Sequence, residues 1–132
     1  MIIGSCLCGA VAYEAETLGG PVVHCHCRTC QKAHSAAFAT TARVKREDFR
    51  WTRGEDGLGA YPSSPGKLRH FCTACGSHII SEWTHEPWVI LRIASVESGL
   101  DADPACHIWV SHQAAWDHGR DELPRYPEGR PA

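Results

Sequence analysis

His24-Cys25-His26-Cys27-Arg28-Thr29-Cys30 packs three cysteines into six positions, as a C-x-C that runs straight into a C-x-x-C. Side chains of an extended chain alternate with period two, so the C-x-C pair sends both sulfurs to the same side. The C-x-x-C step closes a tight turn and swings the third sulfur back toward the other two. Three thiolates converging on one point describe a metal site with one coordination position unfilled. Zinc prefers four ligands in a tetrahedron, and an open fourth position marks a working site rather than a structural one.

Two related spacings flank this stretch. Cys6-Leu7-Cys8-Gly9 is a second C-x-C, and Cys72-Thr73-Ala74-Cys75-Gly76 is a C-x-x-C with glycine directly after it. A glycine there tolerates the positive φ that lets backbone amides point at the sulfurs. Cys6, Cys8, Cys72 and Cys75 divide off naturally as a four-thiolate set, leaving Cys25, Cys27 and Cys30 as a three-thiolate set. Spacing alone also permits Cys25/Cys27 or Cys27/Cys30 to join Cys72/Cys75, with Cys6 and Cys8 in the open set. A closed four-cysteine zinc site supplies folding free energy outright. Thiolate softness favours zinc, and iron also fits four-thiolate sites. The eighth cysteine, Cys106, reads as a small buried residue on a strand; its sharper alternative is a fourth ligand or redox partner. His24, His26 and His107 lie near the cysteines in sequence and read as solvent-facing or supporting groups ahead of ligands or proton carriers. Trp83, Trp88 and Trp109 read as core aromatics.

At 132 residues the chain has the length of one domain. The expected organisation is a single zinc-binding domain over residues 1–122. Residues 123–132, rich in Pro, Gly and charge, are expected to lie on the surface or fray. A formal charge of −2 exerts no general pull on nucleic acid or anionic membrane. No apolar run approaches the length of a membrane span. The opening Met1-Ile2-Ile3-Gly4-Ser5 has neither a basic nor an apolar signal segment. The eight cysteines are therefore expected to remain reduced, in the cytoplasm, and to bind metal rather than pair.

Alternating apolar positions and β-branched or aromatic content predict short strands over 11–15, 22–24, 36–44, 48–51, 58–61, 67–71, 77–83, 88–94 and 106–110. Gly and Pro clusters separate them, including a turn at 62–66. One helical turn is expected at 31–35, and Ser111 is expected to cap a turn reaching Trp116. Many short strands with frequent turns and little helix point to a mainly β, mostly antiparallel domain.

Gly4-Ser5-Cys6-Leu7-Cys8-Gly9-Ala10-Val11, Cys25-His26-Cys27-Arg28-Thr29-Cys30 and Phe71-Cys72-Thr73-Ala74-Cys75-Gly76-Ser77, followed by His107-Ile108 and Trp116, carry a resemblance. In order and rough spacing they are similar to the glutathione-dependent formaldehyde-activating enzyme family, also called the centromere-protein-V-like family. The likeness covers nearly the whole chain. It implies a β-tent fold of antiparallel sheets pinned by zinc knuckles. It also implies structural zinc on Cys6, Cys8, Cys72 and Cys75, and catalytic zinc on Cys25, Cys27 and Cys30. The implied activity condenses glutathione, as co-substrate, with formaldehyde to S-hydroxymethylglutathione, formally a carbon–sulfur lyase running in reverse. The chain departs from the family pattern after the third central cysteine, where x-Ser-Gly is usual and Ala33-His34-Ser35 stands here.

On this reading a small electrophile, formaldehyde or a relative, is added to or removed from a glutathione-like thiol. His26, Arg28 and His34 are candidates to assist, by proton transfer or by holding a glutathione carboxylate. The expected partners are a small-molecule thiol and an aldehyde or thiol conjugate, with no nucleic acid and no membrane; a homodimer is the assembly this reading admits. A rival reading is a non-catalytic, zinc-stabilised binding or chaperone-like module. A third, sulfoxide reduction, requires an exposed and acidic Cys106.

Overall fold

The structure, a computed structural model, describes residues 1–131. In chain order it runs β1 (Ile2–Ser5), β2 (Ala12–Ala15), β3 (Val22–Cys25), α1 (Arg28–His34), β4 (Ala39–Lys45) and β5 (Phe49–Arg53). It continues with β6 (Leu58–Ser64), β7 (Lys67–Cys72), β8 (His78–Trp83), β9 (Trp88–Arg92), β10 (Val96–Ser98) and β11 (Pro104–Ile108). The fold is mainly β, as expected, and the chain divides into two compact units. One holds Met1–Gly20 with Ala42–Asp101; the other holds Pro21–Thr41 with the chain from Ala102 onward.

In the first unit β1, β2, β5 and β10 form an antiparallel sheet in the order β10-β1-β2-β5. Strands β9, β8, β7 and β6 lie side by side in that order, again antiparallel. Alternation in the sequence selects what these strands bury. Val11, Tyr13 and Ala15 are fully buried and join Ile79, Leu91 and Val44 in one apolar cluster that also takes in Cys6 and Cys72. Tyr13 stacks on Phe49 at 5.3 Å between ring centroids and meets Trp51 edge-on at 6.4 Å. Its hydroxyl is satisfied by Ser95 Oγ at 2.8 Å, which lets a polar tip sit in an apolar core. Trp83 and Trp88, expected in the core, are half-buried instead. Each carries a cation over its ring, Lys67 Nζ at 4.9 Å and the Arg43 guanidinium at 4.2 Å.

Strand β6 runs through Pro62 to Ser64, further than the expected turn at 62–66 allows. It is the last strand of its sheet, and an edge strand tolerates a residue without an N–H. The four-residue β1 and three-residue β10 were not legible in sequence. Each is too short to show a period, and each is held by pairing with the other.

In the second unit β11 pairs with β3 in parallel, and β3 pairs with the start of β4 antiparallel. The parallel pair sets His107 beside His24 and Ile108 beside Cys25. Backbone from residues 124–128 lies along β11 and its continuation. His107 N–H donates to Pro124 O at 2.9 Å and Tyr126 N–H to His107 O at 2.9 Å, while Trp109 N–H donates to Glu128 O at 2.8 Å. These bonds satisfy groups that an uncovered strand edge would leave open. Helix α1 spans seven residues and starts inside the cysteine cluster, where only a turn at 31–35 was expected. Among the described residues no helix is long and apolar enough to cross a membrane.

Ser35 ends α1 in the left-handed conformation, φ 49° and ψ 48°, with its N–H on Gln31 O. Glycine, which the resemblance described above would put at this position, adopts the geometry without a Cβ clash. Relief of that clash, set against the extra chain entropy of glycine, favours Ser35→Gly by about 0.5–1 kcal/mol. Urea unfolding of the two proteins, compared at constant slope, reads the difference.

Candidate metal centres

Two glycine-closed knuckles build the first centre. After Cys6 and Cys8 the chain closes through Gly9, φ +79°, whose N–H donates to Cys6 O at 3.1 Å. After Cys72 and Cys75 it closes through Gly76, also φ +79°, whose N–H donates to Cys72 O at 2.8 Å. The four Sγ atoms lie within 4.8 Å of one another, with Cys6–Cys8 at 3.7 Å and Cys8–Cys72 at 3.8 Å. A tetrahedron of sulfurs bonded to zinc at ~2.3 Å has edges of about 3.8 Å. A disulfide needs ~2.05 Å, and all eight cysteines are free. Val11 N–H donates to Cys6 Sγ at 3.3 Å, and the Ser77 hydroxyl lies 3.2 Å from Cys75 Sγ. Ser77 Oγ also accepts the Leu7 N–H at 2.9 Å, tying one knuckle to the other.

These sulfurs do not ionise alike. The Ser77 hydroxyl and amide and the Cys8 amide bring the Cys75 thiol down to about 5. The Ala10 amide draws Cys8 down, but Cys6, burial and the other two sulfurs outweigh it and push Cys8 up to about 11. Four thiolates this close repel one another, and a divalent cation at their centre removes the conflict. The donor set, its spacing and its donated amides fit zinc.

The second centre forms where β3 gives way to α1. Cys27 is the residue that caps the helix, its Sγ accepting the Cys30 N–H at 3.3 Å, in the role more often taken by a serine or aspartate oxygen. Cys30 Sγ lies 3.7 Å from Cys25 Sγ, and all three sulfurs fall within 4.8 Å. Among the described residues no fourth Cys, His, Asp or Glu donor joins this group. Ala39, Ile108 and Trp109 pack around it. The Cys27 and Cys30 sulfurs, and then burial, push the Cys25 thiol far above its ordinary range. Three crowded, largely buried sulfurs with so high a cost of ionisation also fit a bound cation.

The grouping of the seven cysteines is therefore Cys6, Cys8, Cys72 and Cys75 in one place and Cys25, Cys27 and Cys30 in the other. Cys106 belongs to neither; it is buried on β11, and burial raises its thiol. That is the reverse of the exposed, acidic thiol that sulfoxide reduction requires. Of the residues expected to assist the trio, Arg28 is exposed on α1 with Nη1 on Gln31 Oε1 at 3.1 Å. His34 is half-buried in the last turn of α1. His26 is 1 % exposed, and its Nε2 lies 2.8 Å from His107 Nδ1. Its ring is inside the unit, out of reach of a ligand arriving from solvent. Burial and then His107 hold the His26 imidazole down to about 4, so it is neutral at physiological pH.

Gln31 and Asp121 are site residues that no local pattern marks, and Trp109, expected in the core, borders the trio. Gln31 is buried, and its Nε2 donates to both His26 O and His112 O at 2.7 Å, binding the cysteine loop to the turn after β11. Trp109 packs on the trio in a left-handed conformation, φ 58°, rare for so bulky a residue. Asp121 reaches His107 from 14 residues downstream. Long-range side-chain pairing has no sequence period, so no local signal announces these contacts.

A mainly β chain with one closed and one open cluster of thiols is thereby defined. A sequence model of the glutathione-dependent formaldehyde-activating enzyme family matches residues 1–112, and the chain belongs to that family. A protein of Schizosaccharomyces pombe described as an uncharacterized lyase is 24 % identical over 115 residues, covering 79 % of this chain and 82 % of the relative. A crystal structure of a Rhodobacter sphaeroides protein superposes with a TM-score of 0.63 at 27 % identity, covering 74 % of this chain and 90 % of that one.

Freshly purified protein is expected to carry two zinc ions per chain, read by elemental analysis. Cys72→Ser is expected to lose one of them and to unfold at much lower urea concentration, because binding free energy at a closed site is folding free energy. Cys30→Ser is expected to lose the other with a smaller effect on unfolding.

Proposed function

We propose that this chain is a zinc-dependent carbon–sulfur lyase that joins a glutathione-like thiol to formaldehyde or a related small electrophile, and cleaves the adduct in reverse. The observation that carries the reading is the trio Cys25, Cys27 and Cys30, three donors where the other centre has four. Family membership and the lyase description of the fission-yeast relative support the same class. We place the activity in the cytoplasm, in keeping with eight free thiols.

The reaction is an addition without change of oxidation state. A bond forms between the thiol sulfur and the carbonyl carbon, the thiol proton ends on the carbonyl oxygen, and the reverse direction breaks the same bond. A zinc ion held by the trio would supply a positive centre that favours the ionised form of an incoming thiol. The chain's own part is to bring three sulfurs together and supply no fourth donor, so that a coordination position would remain for that thiol. Trp109 and Ile108 border the trio with apolar surface, which strengthens electrostatic effects beside it by excluding water. Arg28, exposed on the first turn of α1, is the group suited to hold a carboxylate of glutathione. His34, on the same helix, is the remaining candidate for proton transfer.

Exchange NMR with 13C-formaldehyde and glutathione tests this. Protein carrying two zinc ions is expected to speed exchange between free and thiol-bound formaldehyde, and Cys27→Ser to abolish most of the gain, by on the order of 100-fold. Arg28→Ala is expected to weaken the apparent affinity for glutathione about tenfold, the loss of one charge-assisted contact, with little change in maximal rate. Absence of any acceleration by the two-zinc protein would leave the non-catalytic module as the reading.

A further inference from the structure

The central motif interleaves two chemistries. Cys25 and Cys27 alternate with His24 and His26 in sequence; the sulfurs gather with Cys30, and both imidazoles lie against His107. His26 Nε2 meets His107 Nδ1 at 2.8 Å. The other nitrogen of that ring, His107 Nε2, meets Asp121 Oδ2 at 2.9 Å and Oδ1 at 3.1 Å. Asp121 Oδ1 also accepts the Leu123 N–H at 2.9 Å. The histidines are 1 % and 5 % exposed, while the Asp121 side chain, at 46 %, reaches solvent.

Hydrogen-bond roles along this line follow from its exposed end. The hydrogen bond from His107, then the Leu123 amide, holds the Asp121 carboxyl below its ordinary range, so it is ionised and accepts only. With Nε2 on the carboxylate, a neutral His107 ring carries its proton there and offers a lone pair at Nδ1. His26 must in turn carry its proton on Nε2 and donate it to that lone pair. His26 Nδ1 is left unprotonated, 3.9 Å from Asp117 Oδ2 and without a hydrogen-bond partner. The opposite tautomer would exchange the contacts at 2.9 and 3.1 Å to Asp121 for lone-pair repulsion there, and gain only the longer 3.9 Å approach to Asp117.

His26 is held on every other side as well. Its N–H donates to Ile108 O at 2.9 Å, and its C=O accepts from Gln31 Nε2 at 2.7 Å. Its ring lies 4.9 Å from that of Phe38, and the His24 ring beside it is fixed through Nδ1 to Thr40 Oγ1 at 2.8 Å. The residue so anchored has a cysteine of the trio as its covalent neighbour on each side.

We propose that Asp121, His107 and His26 form a positioning relay in which the Asp121 carboxylate selects one tautomer of both imidazoles, and the locked His26 ring orients the Cys25 and Cys27 sulfurs for the metal. The inference rests on the reading of the trio as a metal site. It assigns Asp121, Asp-to-sulfur through two rings, a role ordinarily seen where a carboxylate backs a metal-bound histidine, here displaced onto the residue between two thiolates.

The test uses the full chain with 15N-labelled histidine and both metal sites loaded. Long-range imidazole 1H–15N correlations are expected to show His26 and His107 both protonated at Nε2; a His107 protonated at Nδ1 would overturn the relay whatever the variants do. Asp121→Ala is expected to release the His107 tautomer, to shift the thiolate-to-metal absorption of Co2+ in the three-cysteine site, and to weaken that site against a chelator by about 10–100-fold. The Co2+ bands and affinity of the four-cysteine site are expected to stay as they are. Asp121→Glu, which keeps a carboxylate, is expected to restore the tautomers and most of the affinity. Two bound metals with an Asp121→Ala protein unchanged in tautomer and affinity would overturn the relay alone. A wild-type chain that takes metal only at the four-cysteine site would overturn the metal reading of the trio, and the relay with it.

Discussion

Sulfur atoms held within 4.8 Å of one another cannot all be ionised unless something positive lies among them, and much of the structure follows from that constraint. In the first unit the strand ends place Cys6, Cys8, Cys72 and Cys75 on one point, and the surrounding amides and the Ser77 hydroxyl lean toward negative sulfur. The amides around Cys75 and the Ser77 hydroxyl pull its thiol down while the neighbouring sulfurs push Cys8 up, so the four share charge unevenly. Cys6 and Cys72 are members of the apolar core, so a metal there would join two knuckles to the strands that bury Tyr13, Ile79 and Leu91. In a domain this small, closure of that kind offsets a limited core.

The same constraint is met differently by Cys25, Cys27 and Cys30. Their support comes from a helix cap, from the Gln31 side chain and from β11, and they stop at three donors. A quartet has no coordination left to offer; a trio does. The contrast within a single chain separates architecture from chemistry more sharply than either site does alone.

The histidines between the cysteines give the trio its back. Their rings meet His107, which parallel pairing of β11 with β3 sets beside His24. The carboxylate at the end of this line sits in the chain beyond β11, the same region whose backbone lines that strand's outer edge. Residues 121–128 thus contribute to the second unit by hydrogen bonding, although their composition reads as surface. Composition reports how apolar a segment is, and these contacts are polar.

The amino-acid sequence by itself determined the two kinds of cysteine knuckle, the glycines that close them, the mainly β character and the positions buried along β2. Each of these is a matter of local spacing: period two in a strand, two residues between sulfurs, a left-handed residue after a turn. Family likeness extended that to the division of the cysteines into four and three. Only the tertiary structure decided that α1 starts within the cysteine cluster, that Gln31 clamps the loop, that Trp109 takes a strained conformation against the sulfurs, and that Asp121 stands behind His26 through His107. The Gln31 bond to His112 and the Asp121–His107–His26 line depend on residues 14 to 81 positions apart meeting in space. Such meetings are set by strand pairing and burial, which leave no repeating mark along the chain.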